Sequence, residues 1–308
     1  MAASINGEGR SRENTAIMAG SLFQGLIQLV SGRTPVDPLK QIQDVEEEIG
    51  HRMKKISAYC GSEPLRIVLC GAVRVGKSSL VNNILSAFKG EIVQVARSAE
   101  PDLRTSGDTG HITGKYVEYK INLPRNGDNE AHLLICDTRG IDKENPKERG
   151  EGITAALDGY YVSTQDMEGN QAADAKKREP TKRGQVAYVI IVVDATQVEV
   201  EDDRAPIIQS ILKKKELIPV SVFLTKCDRL DGDVGRDIQK LYQSVKVKTA
   251  INHAHEQFKF VPKNRIFPVV NYTDQTEAEP QRRLLTLRSL NIILSDVESC
   301  MDSVVRDG

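Results

Sequence analysis

The chain of 308 residues carries almost no net charge, few cysteines and no long apolar run. Forty-two basic side chains face 43 acidic ones, a net charge of −1. No global basic field therefore recruits nucleic acid or an anionic membrane. The five cysteines (Cys60, Cys70, Cys136, Cys227 and Cys300) are odd in number and scattered, with no C-x-x-C pair and no metal-ligand spacing. That usage argues against a disulfide framework or zinc site and fits a reducing compartment. Signal-peptide, myristoylation and prenylation patterns are missing too, so a cytoplasmic location is expected. The longest uncharged stretch, Thr15 to Gly32, is interrupted by Gly20, Gln24, Gly25 and Gln28. It reads as a docked helix with Met18, Leu22, Leu26 and Leu29 on one face rather than a membrane span. Contact of residues 15–32 with a lipid surface is the lesser alternative, because that helix lacks a basic polar face.

Apolar runs then alternate with helical patterns. Strands are expected over Leu65–Cys70, Tyr116–Asn122, Ala131–Cys136, Ala187–Val193, Pro219–Leu224 and Arg265–Val270. Helices are expected over Lys77–Phe88, Asp203–Lys215, Gly235–Glu256 and Gln281–Met301. This alternation predicts an α/β fold: a mostly parallel six-stranded sheet with helices on both faces. The turn signal Asn126-Gly127 makes the second and third strands an antiparallel hairpin. Residues 1–60 read as a helical N-terminal extension and 61–303 as the core domain, with a long polar insertion at about 142–185.

Gly71-Ala-Val-Arg-Val-Gly-Lys-Ser78 fits G-x-x-x-x-G-K-[ST] between an apolar strand and a helix. Gly71 and Gly76 let the backbone curl, so that the N–H groups of Val73, Arg74, Val75 and the following residues to Ser79 form an anion nest at a helix N-terminus. In that arrangement Lys77 reaches the β- and γ-phosphates and the Ser78 hydroxyl ligates Mg²⁺. "LLICDTRG" ends a strand in Asp137, a candidate for the Mg²⁺ shell, and Gly140 follows as a candidate γ-phosphate donor. "VFLTKCD" ends another in Thr225-Lys226-Cys227-Asp228, which matches the [NT]-K-x-D of guanine-specific proteins. The Asp228 carboxylate accepts from N1–H and the exocyclic amine of guanine, donors that adenine lacks in that arrangement. Thr225 stands where asparagine is commoner. A switch threonine for Mg²⁺ is sought among Thr105, Thr109 and Thr113, with Thr109 favoured, and Asn271 in "VVNY" is expected near the guanine edge. The ligands implied are GTP or GDP with Mg²⁺.

The residue after D-x-x-G is Ile141, which cannot orient water as the glutamine of small GTPases does. Arg74 stands where guanylate-binding proteins and atlastins carry an internal arginine finger. By that resemblance it turns toward the γ-phosphate when two G domains dock, a contribution of roughly 10³–10⁵ in rate. A solvent-facing arginine that tunes affinity is the other reading. Together, "CGAVRVGKSSLVNNI", "LLICDTRGI", "EGITAALDGYYVSTQDM", "VAYVIIVVDATQVEV", "VFLTKCD", "VVNY" and the closing "RRLLTLRSLNIILSDVESCM" resemble the interferon-induced protein 44 family, over about residues 60–302. The resemblance implies a P-loop G domain in a cytoplasmic, innate immune or antiviral regulatory protein. Two functions stay open: a slow Mg-dependent GTPase switch, and a nucleotide-stabilised scaffold that does not hydrolyse. The implied partners are guanine nucleotide, a second copy through the G domain, and a protein that the sequence does not identify.

Overall fold

The computed structural model describes residues 37–60, 63–96, 115–122, 132–141, 146–160, 165–166, 186–199, 204–213, 215 and 218–307. The segment 15–32, the three switch-threonine candidates and most of 142–185 lie outside the described residues. The elements in order are α1 (Pro38–Cys60), β1 (Leu65–Gly71), α2 (Lys77–Lys89), β2 (Lys115–Asn122), β3 (His132–Asp137), α3 (Pro146–Leu157) and β4 (Gln165–Asp166). Then come β5 (Val186–Asp194), α4 (Arg204–Lys213), β6 (Val220–Thr225), α5 (Cys227–Leu230), α6 (Gly232–Arg236), α7 (Val245–Gln257), β7 (Ile266–Pro268) and α8 (Pro280–Asp307).

The strand order is β4-β2-β3-β1-β5-β6-β7. β1 runs parallel to β3 and β5, β5 to β6 and β6 to β7. β2 is antiparallel to β3, with Val117 opposite Asp137 and Asn122 opposite His132, as the hairpin signal requires. The expected six strands are all present. A seventh, the two-residue β4 from within the insertion, pairs with the outer edge of β2. β1 is buried along its whole length because helices cover both faces. Its side chains alternate between two cores: Val68 and Cys70 join one, Ile67 and Leu69 the other. The first core packs under α3, α4 and α7, the second under α1, α2 and α8.

The helix expected over 235–256 is broken, and local capping explains why. Asp237 is extended and its carboxylate accepts from the Gln239 N–H, starting a separate 3₁₀ turn. Ser244 accepts from the Val247 N–H and opens α7 afresh. Both residues belong to the set that competes with helix interiors for backbone donors.

α1 is amphipathic at helical spacing and buries Ile42, Val45, Ile49, Met53 and Ile56 in the same core as β1 and α8. Its polar flank follows α8 in parallel. Gln41 accepts from Arg288 at 2.7 Å, Arg52 pairs with Glu298 at 2.7 Å, and Tyr59 bonds to Asp302 further along. Ile49 is 1% exposed, so Ile49→Ala should lower stability by about 2–5 kcal/mol. Urea unfolding should then show one transition at a lower midpoint. An unshifted midpoint, or a separate early transition for α1, would show that this helix is not part of the cooperative core.

Candidate nucleotide site

The site forms where the carboxyl ends of β1, β3, β5 and β6 meet the N-terminus of α2. Gly71 closes β1 at φ +153°, and a Cβ there would stand 2.3 Å from the Val192 carbonyl oxygen. Gly76 is the N-cap of α2 at φ +97° and brings no side chain to cap it. The first-turn amides of α2 are thus left for an anion. Arg74 (φ 64°) and Lys226 (φ 59°) are the only non-glycine residues at positive φ among those described. They hold each other: Lys226 Nζ donates to the Arg74 carbonyl at 2.8 Å while pairing with the Asp194 carboxylate at 2.5 Å. Left-handed backbone at a non-glycine residue costs about 1–3 kcal/mol and persists only where its surroundings over-determine it.

Lys77 is buried, and its ammonium donates to the carbonyls of Ala72 at 2.8 Å and Gly71 at 3.4 Å. Ser78 donates to Asp137 Oδ2 at 2.6 Å. Asp137 is 1% exposed, and its Oδ1 has no partner among the described residues. Burial pushes its carboxyl above the usual carboxylate range, opposed by Lys77, the Ser78 hydroxyl and the Thr138 N–H. Thr138 in turn fixes the end of β3 by donating to the Leu69 carbonyl at 2.7 Å. An orphan carboxylate oxygen beside a hydroxyl and an ammonium fits a hydrated Mg²⁺ that arrives with phosphate oxygens. Among the described residues no group of three His, Cys, Asp or Glu side chains could hold a metal alone. Water and phosphate oxygens would complete the shell around Asp137 and Ser78.

Gly140 lies against the loop: a Cβ there would be 2.7 Å from Val73 N and 2.9 Å from Lys77 Nζ. Two backbone bonds of 3.1 Å, Val73 N–H to the Ile141 carbonyl and Ile141 N–H to the Gly71 carbonyl, zip D-x-x-G to the loop. The Val73 amide is thereby committed to this segment. The Ile141 side chain is fully buried in the core rather than turned to the site.

On the base side, Thr225 is buried and its hydroxyl bonds to the Val75 carbonyl, with that of Val193 at 3.2 Å. Asp228 is half-buried in the first turn of α5. Asn271 brings its amide to within 3.4 Å of the Gly76 carbonyl, beside Thr225. An asparagine from the last strand's loop thus stands next to the position where Thr225 lacks an amide.

The structure brings Gly71, Val73, Arg74, Val75, Gly76, Lys77, Ser78, Ser79, Asp137, Gly140, Thr225, Lys226, Asp228 and Asn271 to one end of the sheet, with Arg74 exposed. Thr109 lies outside the described residues. Sequence reasoning missed Asp194, the partner of Lys226, although an apolar strand that ends in aspartate beside the T-K-x-D strand was signal enough. It also missed Arg282, a buried arginine behind Asn271.

The sheet order and these motifs define a P-loop GTPase-type G domain. Among curated proteins the chain is similar to interferon-induced protein 44 of Mus musculus, 25% identical over 238 residues that cover 74% of this chain and 54% of that protein. It is also similar to the Homo sapiens interferon-induced protein 44-like, 22% identical over 293 residues, 87% of this chain and 60% of that one. The chain is thus similar, at 22–25% identity, to proteins named interferon-induced protein 44 or 44-like. It spans about half the length of the curated relatives it matches. No family model matches. Similar solved structures include Era in complex with MgGDPNP and a 16S ribosomal RNA fragment (20% identity, TM-score 0.39, 68% of this chain and 51% of that). Another is the bacterial dynamin GTPase LeoA from ETEC (16% identity, TM-score 0.46, 96% and 48%).

Asp137→Asn should separate binding from stability. A carboxyl whose folded pKa is raised binds its proton more tightly when folded. Stability is then greatest at acid pH and falls as pH rises from the unfolded pKa through the folded one. The ligand-free Asn variant should accordingly melt higher than wild type at neutral pH, with the gap closing toward acid, and should lose Mg²⁺-dependent nucleotide affinity. An equal or lower melting temperature at neutral pH would refute this account of the carboxylate.

Proposed function

We propose that the protein is a cytoplasmic guanine-nucleotide switch that binds Mg·GTP, hydrolyses it slowly and serves an interferon-linked antiviral or immune regulatory role. Residues 61–303 carry its nucleotide site, and α1 from the preceding residues 1–60 completes the core of that domain. One observation carries the reading: Lys226 and Thr225 bond directly to the phosphate loop, at the Arg74 and Val75 carbonyls, so the base-reading and phosphate-binding elements make one site. In it the Lys77 ammonium and the α2 amides bind phosphates, Asp137 and Ser78 hold the ion with Thr109, and Asp228 reads guanine. Mg²⁺ supplies charge neutralisation at the β- and γ-phosphates. The names of the relatives support the interferon link.

The second reading, a scaffold that holds nucleotide without turnover, is favoured by the burial of Ile141 away from the site. Arg74, exposed at the loop tip, favours hydrolysis completed in a docked pair of G domains. The two part in a multiple-turnover assay run against protein concentration. A rate that rises with concentration and drops at least tenfold in Arg74→Ala, about 1.4 kcal/mol, is expected of the switch. A flat, near-zero rate with tight GDP binding selects the scaffold. Guanine specificity is checked by calorimetry: Asp228→Ala should lose most of its preference for GDP over ADP, while Lys77→Ala should bind neither. Equal affinity of the wild type for GDP and ADP would overturn the reading altogether.

A further inference from the structure

Behind the loop that follows β7, Arg282 is only 7% exposed. It stands in the first turn of α8, and its guanidinium lies over the Tyr272 ring at 4.7 Å from the centroid. Nη1 donates to the Asn271 carbonyl at 3.2 Å and Nη2 faces Glu279 at 3.3 Å. The Glu279 side chain is 40% exposed, so the ion pair is half in water, and Arg282 Nε is buried without a partner among the described residues. A guanidinium buried on these terms costs stability, and an apolar side chain would fill the space more favourably. Something other than packing accounts for it.

Its contacts converge on a loop that also touches the phosphate loop. Asn271 spans the two, with its amide on the Gly76 carbonyl and its own carbonyl on Arg282. Across a trans peptide the C=O and the next N–H point in opposite directions, so a carbonyl held toward α8 turns the Tyr272 N–H away from α8. The cation over the ring fixes Tyr272 on the same side, a contact worth more once desolvated.

We infer that Arg282 is a positioning residue for guanine recognition: it clamps the Asn271 carbonyl and the Tyr272 ring so that the Tyr272 N–H is set for the guanine O6. The inference rests on the proposed guanine-nucleotide function. It divides base recognition into two independent parts, O6 through the Arg282-held loop and the N1–H and exocyclic amine through Asp228.

Inosine diphosphate separates the parts, because it keeps O6 and N1–H and lacks the amine. Calorimetry with Mg²⁺ on the full chain should find GDP and IDP weakened in Arg282→Ala by the same factor, about tenfold, with their ratio kept. Asp228→Ala should collapse that ratio. Arg282→Lys, which keeps a cation over Tyr272 and a donor, should recover part of the loss, and it carries the test alone if the alanine variant does not fold. GDP affinity equal to wild type in Arg282→Ala, a changed GDP:IDP ratio, or a loss that lysine does not lessen would each overturn the inference. A wild type that binds neither GDP nor IDP would instead bring down the proposed function itself, and this inference with it.

Discussion

A carboxylate taken out of water at the end of β3 sets the terms for this molecule. Asp137 cannot be relieved by solvent, and its neighbours Lys77 and Ser78 compensate it only in part. The rest of the site is arranged around that deficit. Gly71 and Gly76 bend the chain so that an ammonium, a hydroxyl and the open end of α2 face the same point. Thr138 anchors the carboxylate's own strand to β1. The parallel sheet, buried on both faces, makes this concentration of polar groups tolerable, because it holds them at one rim while two apolar cores occupy its faces.

Two residues in left-handed backbone, Arg74 and Lys226, come from segments 152 positions apart yet are joined by a single hydrogen bond. Neither conformation is favoured in isolation. Each survives because the other is present, and Asp194 holds the lysine in place. The shape of the phosphate loop and the order of the T-K-x-D turn are for that reason linked through the Lys226 side chain, without need of a ligand between them. Such linkage is what a nucleotide switch requires, and it would equally let a scaffold hold its nucleotide firmly.

Much of this was legible in the residues. β1, β3, β5 and β6 announce themselves as apolar runs that end at Gly71, Asp137, Asp194 and Thr225, because a parallel strand buried on both faces has no polar side to obscure it. The hairpin was readable from Asn126-Gly127. The helix over 235–256 was misread because its period continues through Asp237 and Ser244. What decides there is the competition of short polar side chains for backbone donors, which periodicity ignores. The two-residue β4 carries too little pattern to detect. Arg282 was invisible for another reason: nothing local distinguishes it from Arg283 beside it, and its meaning comes from a loop eleven residues upstream. Thr225 stands where asparagine is commoner, and only the fold shows the Asn271 amide set against the neighbouring Gly76 carbonyl.

The parallel lie of α1 along α8 has a mechanical consequence. Tension applied at Asp37 and at Ser303 would act at opposite poles of the domain, along the shared axis of the two helices. The seam would be loaded in shear, so that Arg52, Lys55 and Tyr59 resist together with Glu298 and Asp302 instead of parting one after another. Pulled from its extremities, the domain should therefore yield abruptly and at high force, and its nucleotide cradle would stay whole until it did.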